Sequence, residues 1–348
     1  MAGKWRKKHV DKHGHEMQIS VIIPVFNAVS YVGRAVESAL AQRETAEVLL
    51  IEDGSDDGSW EECQRLAAQD VRVRVLRHPD GQNRGAGASR NLGIENARVP
   101  YVAFLDADDF YLPGRFQKDG EILDQHPDAE GVYDAIGIHF QEEALRSDFY
   151  KGPKKQMHTL RLYLPPEDLF EALVVGGGKG AFHTDGVVLS RTLLGRTGLF
   201  DPELKMSQDT HLWIRAAAIG RLYPGELGRP VGMLRVHGGN RVTPVLTPMR
   251  RKYQYMAWQR LMRWGRQQRL PSVKMDQLSD VYIRKAANLA ENKRLGGHGF
   301  LWISCLLCLM RSWPAALKKR ALWTTFWHSS ASCVGRIFRR RTQETELP

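Results

Sequence analysis

Four short apolar runs, each followed by a segment with helical spacing, restrict what this chain can fold into more than any other feature. ISVIIP (19–24), EVLLIE (47–52), VRVRVL (71–76) and YVAFL (101–105) begin roughly 25–30 residues apart. The first, second and fourth are continuous apolar runs, the pattern of strands covered on both faces. The third alternates with period two and predicts one wetter face. Between them, Ala28–Gln42 places Val32, Val36, Ala39 and Leu40 at helical spacing, and Ser59–Gln69 and Ala86–Ala97 also read as helices. Strand and helix in alternation predict an α/β fold, Rossmann-like, with a mixed, mainly parallel sheet flanked by helices.

In such sheets ligands sit beyond the carboxyl ends of the strands. Polar groups stand at three of those ends: Asn27 after the first run, Asp53 after the second, and Asp106–Asp109 after the fourth. Farther on, Gly131–Ile138 and Gly186–Ser190 predict strands, Ser207–Ile219 a helix, and Gly176–Gly180 (GGGKG) a loop. Residues 249–292 predict helix broken near Pro271. The expected organisation is a disordered basic arm (1–16), an α/β domain (17–245, its halves meeting near 116) and a C-terminal helical extension (246–348).

The formal net charge of +11 favours anionic partners. The charge gathers at the two ends, in Lys4–Lys12 and in the eight Lys and Arg beyond Phe300, and no nucleic-acid reading motif accompanies it. Trp302, Trp313, Trp323 and Trp327 among these basic residues suit an interfacial helix on anionic lipid, and equally suit helices capping a domain. Four cysteines make no disulfide framework, and Cys305-x-x-Cys308 lies in an apolar run without a second pair to complete a zinc site. Leu301–Met310 is far short of a membrane span, and no secretory signal is legible. The expected location is cytoplasmic, with a peripheral membrane position as an option.

The strongest chemical feature is FLDADDFYLP (104–113), where a buried strand empties into three carboxylates. Crowded carboxylates repel unless a cation neutralises them, and oxygen-rich clusters suit magnesium or manganese. An acidic solvated turn would carry the same residues. IEDGSDDGS (51–59) holds a turn and a helix cap, with Asp57 or Ser59 as the capping side chain, and leaves Asp53 as an acceptor at the sheet edge. NRGAGASRN (83–91) fails the dinucleotide glycine pattern because Arg90 stands where its third glycine belongs, yet it can carry Arg90 toward phosphates.

ISVIIPVFN, LLIEDGSDDGS, GAGASRNLGI and FLDADDFYLP occur in an order and at a spacing that resemble the family 2 glycosyltransferases. The resemblance continues more loosely through MSQDTHLWIRAA (206–217) and LRVHGGN (234–240). It implies the GT-A fold, a nucleotide-diphosphate-sugar donor with UDP the common nucleotide, a manganese or magnesium ion, and inversion at the anomeric carbon. By position it implies that Pro24, Phe26 and Asn27 line the nucleotide pocket, Asp53 contacts the base, and Arg90 lies near the nucleotide. Asp106 would face the ribose or metal, Asp108 would bind the metal, Asp209 would act as base, and His237 would lie near the metal or diphosphate. The chain departs from the family in carrying Gln208–Asp209 where Glu-Asp is usual and Phe26 where Tyr is usual. The acceptor implied is a saccharide or lipid-linked glycan. A nucleotide-sugar-binding protein without turnover is the alternative, against which Asp108 and Asp209 both being present argues.

Overall fold

The computed structural model of the protein describes residues 17–142, 157–160, 162–176, 182–238, 247–290, 298–319 and 322–325. The basic arm, residues 177–180 of the glycine loop, the boundary expected at 245 and the basic C-terminal tail beyond 325 lie outside the described residues. The chain forms two compact units, one drawn from Met1–Glu203 and Leu212–Asn240, the other from Leu204–His211 and Arg241–Pro348.

In the first unit the predicted alternation is realised. β1 (Ile19–Val25), β2 (Thr45–Glu52), β3 (Val73–Arg77) and β4 (Tyr101–Phe104) are separated by α1 (Val32–Leu40), α2 (Ser59–Gln69) and α3 (Ala86–Asn96). Two short strands, β5 (Phe110–Tyr111) and β6 (Gly131–Tyr133), flank α4 (Gln117–Gln125). Then come β7 (Ile136–Phe140), β8 (Met157–His158), α5 (Pro166–Val175), β9 (Val187–Ser190), α6 (Arg191–Thr197), α7 (Gln208–Ile219, of which Gln208–His211 belong to the second unit), β10 (Leu222–Pro224) and β11 (Gly232–Val236). The main sheet has the order β10-β6-β9-β4-β1-β2-β3, and a smaller one has β5-β11-β7-β8. In the main sheet β9 alone runs antiparallel to its neighbours, β4 and β6. On one face of the sheet Ile19, Val21, Ile23 and Val25 pack with Val32, Ala35, Val36 and Ala39 of α1 and Cys63 and Leu66 of α2. Each such aliphatic side chain contributes about 1.5–3 kcal/mol on burial. Ile22 turns to the other face and lies against Gly93 of α3 so closely that a Cβ there would sit 2.4 Å from its Cγ2.

Two expectations change. The third strand starts at Val73, not Val71, because the Asp70 carbonyl accepts the Val73 amide and the Asp70 carboxylate accepts the Arg72 amide, so Val71 sits 95% exposed on a turn. The single strand expected over 131–138 is two strands in two sheets. The chain changes sheet at Asp134 and Ala135, whose amides donate to the carbonyls of Gly186 and Glu226.

In the second unit α8 (Thr247–Gln267) and α9 (Ser272–Ala290) break around Pro271 as expected, and α10 (His298–Ser312) follows. Tyr255 and Tyr282 stack at 5.3 Å and join through their hydroxyls at 3.0 Å. Cys305 and Cys308 are buried, and burial pushes the Cys305 thiol up to about 12. Trp302 is buried, while the Trp313 indole donates to Asp276. Among the described residues no helix is long and apolar enough to cross a membrane.

Candidate active site

The carboxyl ends of β1, β2 and β4 supply the groups the sequence pointed to. After β1 the chain passes Phe26, 40% exposed, and Asn27, which adopts a left-handed φ of 49°. The Asn27 amide donates to Ser55 Oγ at 3.0 Å and its Oδ1 accepts the Asp56 amide at 3.1 Å, lacing the first loop to the second. Pro24 lies within β1, half-buried. Asp57 accepts from the Ser59 amide and hydroxyl at the start of α2. Asp53 is nearly buried. Its Oδ1 accepts the Arg84 amide at 2.7 Å and its Oδ2 the Gly85 amide at 2.8 Å. This carboxylate therefore clamps the loop that opens α3. Gly54 next to it, at φ 77°, leaves no room for a Cβ, which would lie 2.8 Å from the Asn83 nitrogen.

α3 delivers Arg90, whose Nη2 donates to Asp106 Oδ1 at 2.5 Å. Its guanidinium stands 5.5 Å from the Phe200 ring, and among the described residues its buried Nε has no hydrogen-bond partner. From the end of β4, Asp106 and Asp108 keep 33% and 30% of their side chains exposed, whereas Asp109 is fully buried. Burial and the charge of Asp106 push the Asp108 carboxyl above its usual range. His237 Nε2 lies 3.2 Å from Asp108 Oδ2, and the His237 ring packs tilted against Tyr31 at 4.6 Å between ring centres. Asp109 accepts the Arg235 amide at 2.7 Å. Burial and then the neighbouring charge of Asp185 push Asp109 well above the carboxylate range. Burial alone would raise Asp185 too, but His183 and the hydrogen bond from Asp109 hold it low.

Asp185 is a residue whose part the sequence did not disclose. It precedes β9, and because β9 is antiparallel, its amino end falls beside the carboxyl end of β4. The Asp106 amide donates to Asp185 Oδ1 at 3.2 Å. Behind it stands a wholly buried ion cluster. Arg115 donates to Asp119 at 3.0 Å, to Asp134 at 2.9 Å, and through Nε and Nη2 to the Asp185 carbonyl at 3.3 and 3.1 Å. Burial and the charge of Asp134 raise Asp119 well above the usual carboxylate range.

A divalent ion suits this donor set. One ligand atom each of Asp106, Asp109 and His183 falls within 4.8 Å of the others. Ligands across a magnesium-sized ion stand about 4 Å apart, so small side-chain rotations close the gap. Asp109, however, has one oxygen on the Arg235 amide and the other opposed to Asp185. The carboxylates open to an arriving ion are Asp106 and Asp108, with His183 on one flank and His237 on the other. Asp209 lies in the first turn of α7, where its Oδ1 accepts the Thr210 amide at 2.7 Å.

A mainly parallel sheet with one antiparallel strand, and a carboxylate cluster where that strand meets β4, defines the GT-A class of fold. Residues 20–177 match the family model described as Glycosyl transferase family 2, so the chain carries a family 2 glycosyltransferase domain. It is 33% identical over 217 residues to the succinoglycan biosynthesis protein ExoU of Rhizobium meliloti, covering 59% of this chain and 58% of that protein. Curated relatives such as these are spanned for 29–60% of their length. Its fold is that of S. aureus TarS 1-349 in complex with UDP-GlcNAc (TM-score 0.66, 16% identity, 92% and 89% of the two chains). It also resembles the mannosyltransferase PcManGT of Pyrobaculum calidifontis in complex with GDP-Man and Mn2+ (TM-score 0.50, 16% identity, 95% and 91%).

Proposed function

We propose that this chain is an inverting glycosyltransferase that moves a sugar from a nucleotide-diphosphate donor, UDP-linked by preference, to a hydroxyl of a saccharide or lipid-linked acceptor in polysaccharide assembly. The observation that carries it is the pairing of buried Arg90 with half-exposed Asp106 beside a second half-exposed carboxylate, Asp108. A fixed cation and two acids at one sheet edge match a pyrophosphate that arrives with its own metal. The relative solved with UDP-GlcNAc and the polysaccharide role in the name of ExoU support the donor and the pathway class.

On this reading Pro24, Phe26, Asn27 and Asp53 form the nucleoside side of the pocket, and Arg90 faces the phosphates. Asp106 and Asp108, with His237 or His183, hold manganese or magnesium. The ion, when bound, offsets charge on the departing nucleoside diphosphate. Asp209 takes the proton of the acceptor hydroxyl, a role that contributes about 10²–10⁴-fold in rate.

Calorimetric titration with UDP, GDP and dTDP, with and without manganese, tests the donor site. Manganese-dependent binding of one nucleotide, weakened at least tenfold in Asp108→Ala, is expected. Absence of binding by all three would overturn the reading. His183→Ala and His237→Ala, compared in the same titration, identify the nitrogen ligand.

A further inference from the structure

The outer face of α10 is apolar where a solvated helix carries charge. Its inner face packs within the second unit, where Leu301, Trp302, Cys305, Cys308 and Leu309 are buried. On the opposite side Ile303, Leu307 and Met310, at positions i, i+4 and i+7 of one stripe, are 57%, 46% and 54% exposed. Among the described residues no other helix exposes more than one large apolar side chain. From His298 to Met310 the sequence has no Asp, Glu, Lys or Arg.

A helix that is apolar all round belongs in a core or a membrane. α10 is too short to span one: its 15 residues extend about 22 Å, against about 30 Å of bilayer hydrocarbon. An exposed stripe of this kind marks a surface that another body covers.

Charge selects that body. Between Asn292 and Gln343 the sequence holds ten Lys and Arg and no Asp or Glu. Exposed Arg311 follows Leu307 by four positions and so borders the stripe, and Lys318 is exposed in the short helical turn Pro314–Lys318. Two copies meeting through this stretch would bring like charges together, which opposes association. An anionic lipid surface matches both features, with acyl chains against the stripe and headgroup charge against the cations. Because Trp302 packs inside the unit, the aliphatic stripe and not this tryptophan supplies the apolar contact.

We propose that the face of α10 formed by Ile303, Leu307 and Met310 docks on an anionic bilayer, the helix lying in the membrane plane at the headgroup boundary. This rests on the second unit alone and not on the transferase reading.

The test is flotation of the full chain with vesicles of phosphatidylglycerol and phosphatidylcholine in equal parts, and with vesicles of phosphatidylcholine alone. Binding to the mixed vesicles is expected, at least tenfold stronger than to phosphatidylcholine alone. The double variant Leu307→Gln, Met310→Gln is expected to weaken it at least tenfold, and Leu307→Trp to tighten it. Both positions are exposed, so the urea midpoint and manganese–UDP binding are expected to stay as in the wild type. No binding to the mixed vesicles, or binding that these substitutions leave unchanged, would overturn the proposal, the second result assigning attachment to the basic segment alone. A dimer in sedimentation velocity that the double variant loses would also overturn it, in favour of a second copy on the stripe. Failure of the donor reading would appear separately, as protein that floats with the mixed vesicles yet binds no nucleotide.

Discussion

Replacing Arg115 with methionine would leave two fully buried carboxyl groups, Asp119 and Asp134, without the cation between them. Methionine fills much of the arginine's volume, so the loss is electrostatic rather than a cavity. Removing one partner of a buried ion cluster costs about 3–5 kcal/mol, because the remaining charge is stranded. That is a large part of the roughly 5–15 kcal/mol that holds a domain folded. For a unit of this size it corresponds to a fall in Tm of about 6–20 °C. Urea denaturation at pH 7, followed by far-UV circular dichroism, reads the change as a shift in midpoint. A second variant makes the cause explicit. Burial and the charge of Asp134 push Asp119 well above the usual carboxylate range, so Arg115→Met combined with Asp134→Asn removes the neighbouring buried carboxylate while the amide oxygen still accepts from the Glu226 amide, now 2.6 Å away. It is expected to recover more than half of the loss. An Arg115→Met protein destabilised by under about 1 kcal/mol, or a double variant no more stable than the single, would refute the charge reasoning. Because Arg115 also grips the Asp185 carbonyl, the single variant is further expected to weaken manganese–UDP binding.

Gly93→Ala places a methyl 2.4 Å from Ile22 Cγ2 in the packed face of the sheet, and overpacking of this kind costs about 1–3 kcal/mol, readable in the same urea titration. An unchanged midpoint would mean α3 can slide freely on the sheet. Glu47→Gln tests the opposite end of the strands. Burial would raise the Glu47 carboxyl, but hydrogen bonds from Ser20, the Arg98 amide and Arg74 outweigh it and hold it below the usual range. A carboxylate depressed in the folded state stabilises above its unfolded value and loses that contribution as pH falls through the folded one. The stability gap between wild type and Glu47→Gln is therefore expected to be constant above about pH 5.5 and to close as pH drops below about 4.5. A gap independent of pH would show that the loss is one of shape rather than charge.

Much of the fold and part of the site were legible before any coordinates. Period and composition located β1, β2, β4 and the helices between them, since a strand covered on both faces must be apolar throughout. The edge rule then brought Asn27, Asp53 and Asp106–Asp109 together. It did not bring in Asp185, because the rule concerns parallel strands and the direction of β9 is not encoded in the four residues that form it. Nor did it disclose Arg115, Asp119 and Asp134, whose charges look like solvated surface until their partners, 4 and 19 positions away, are folded around them. The strand expected over 131–138 failed for a related reason. Asp134 reads as a polar interruption of an apolar run, whereas it is the point at which the chain leaves one sheet for another.

Local order was therefore decided by the sequence itself: which segments extend, which coil, where glycine is required, and where acids follow a buried strand. These are properties of the near neighbourhood, governed by backbone sterics and the period of apolar side chains. Tertiary structure alone decided which charges meet. It set Arg90 against Asp106, Asp109 against Asp185, and Arg34 and Arg235 on one ring, because a charge finds its partner across space, through strands whose order and direction no local pattern specifies.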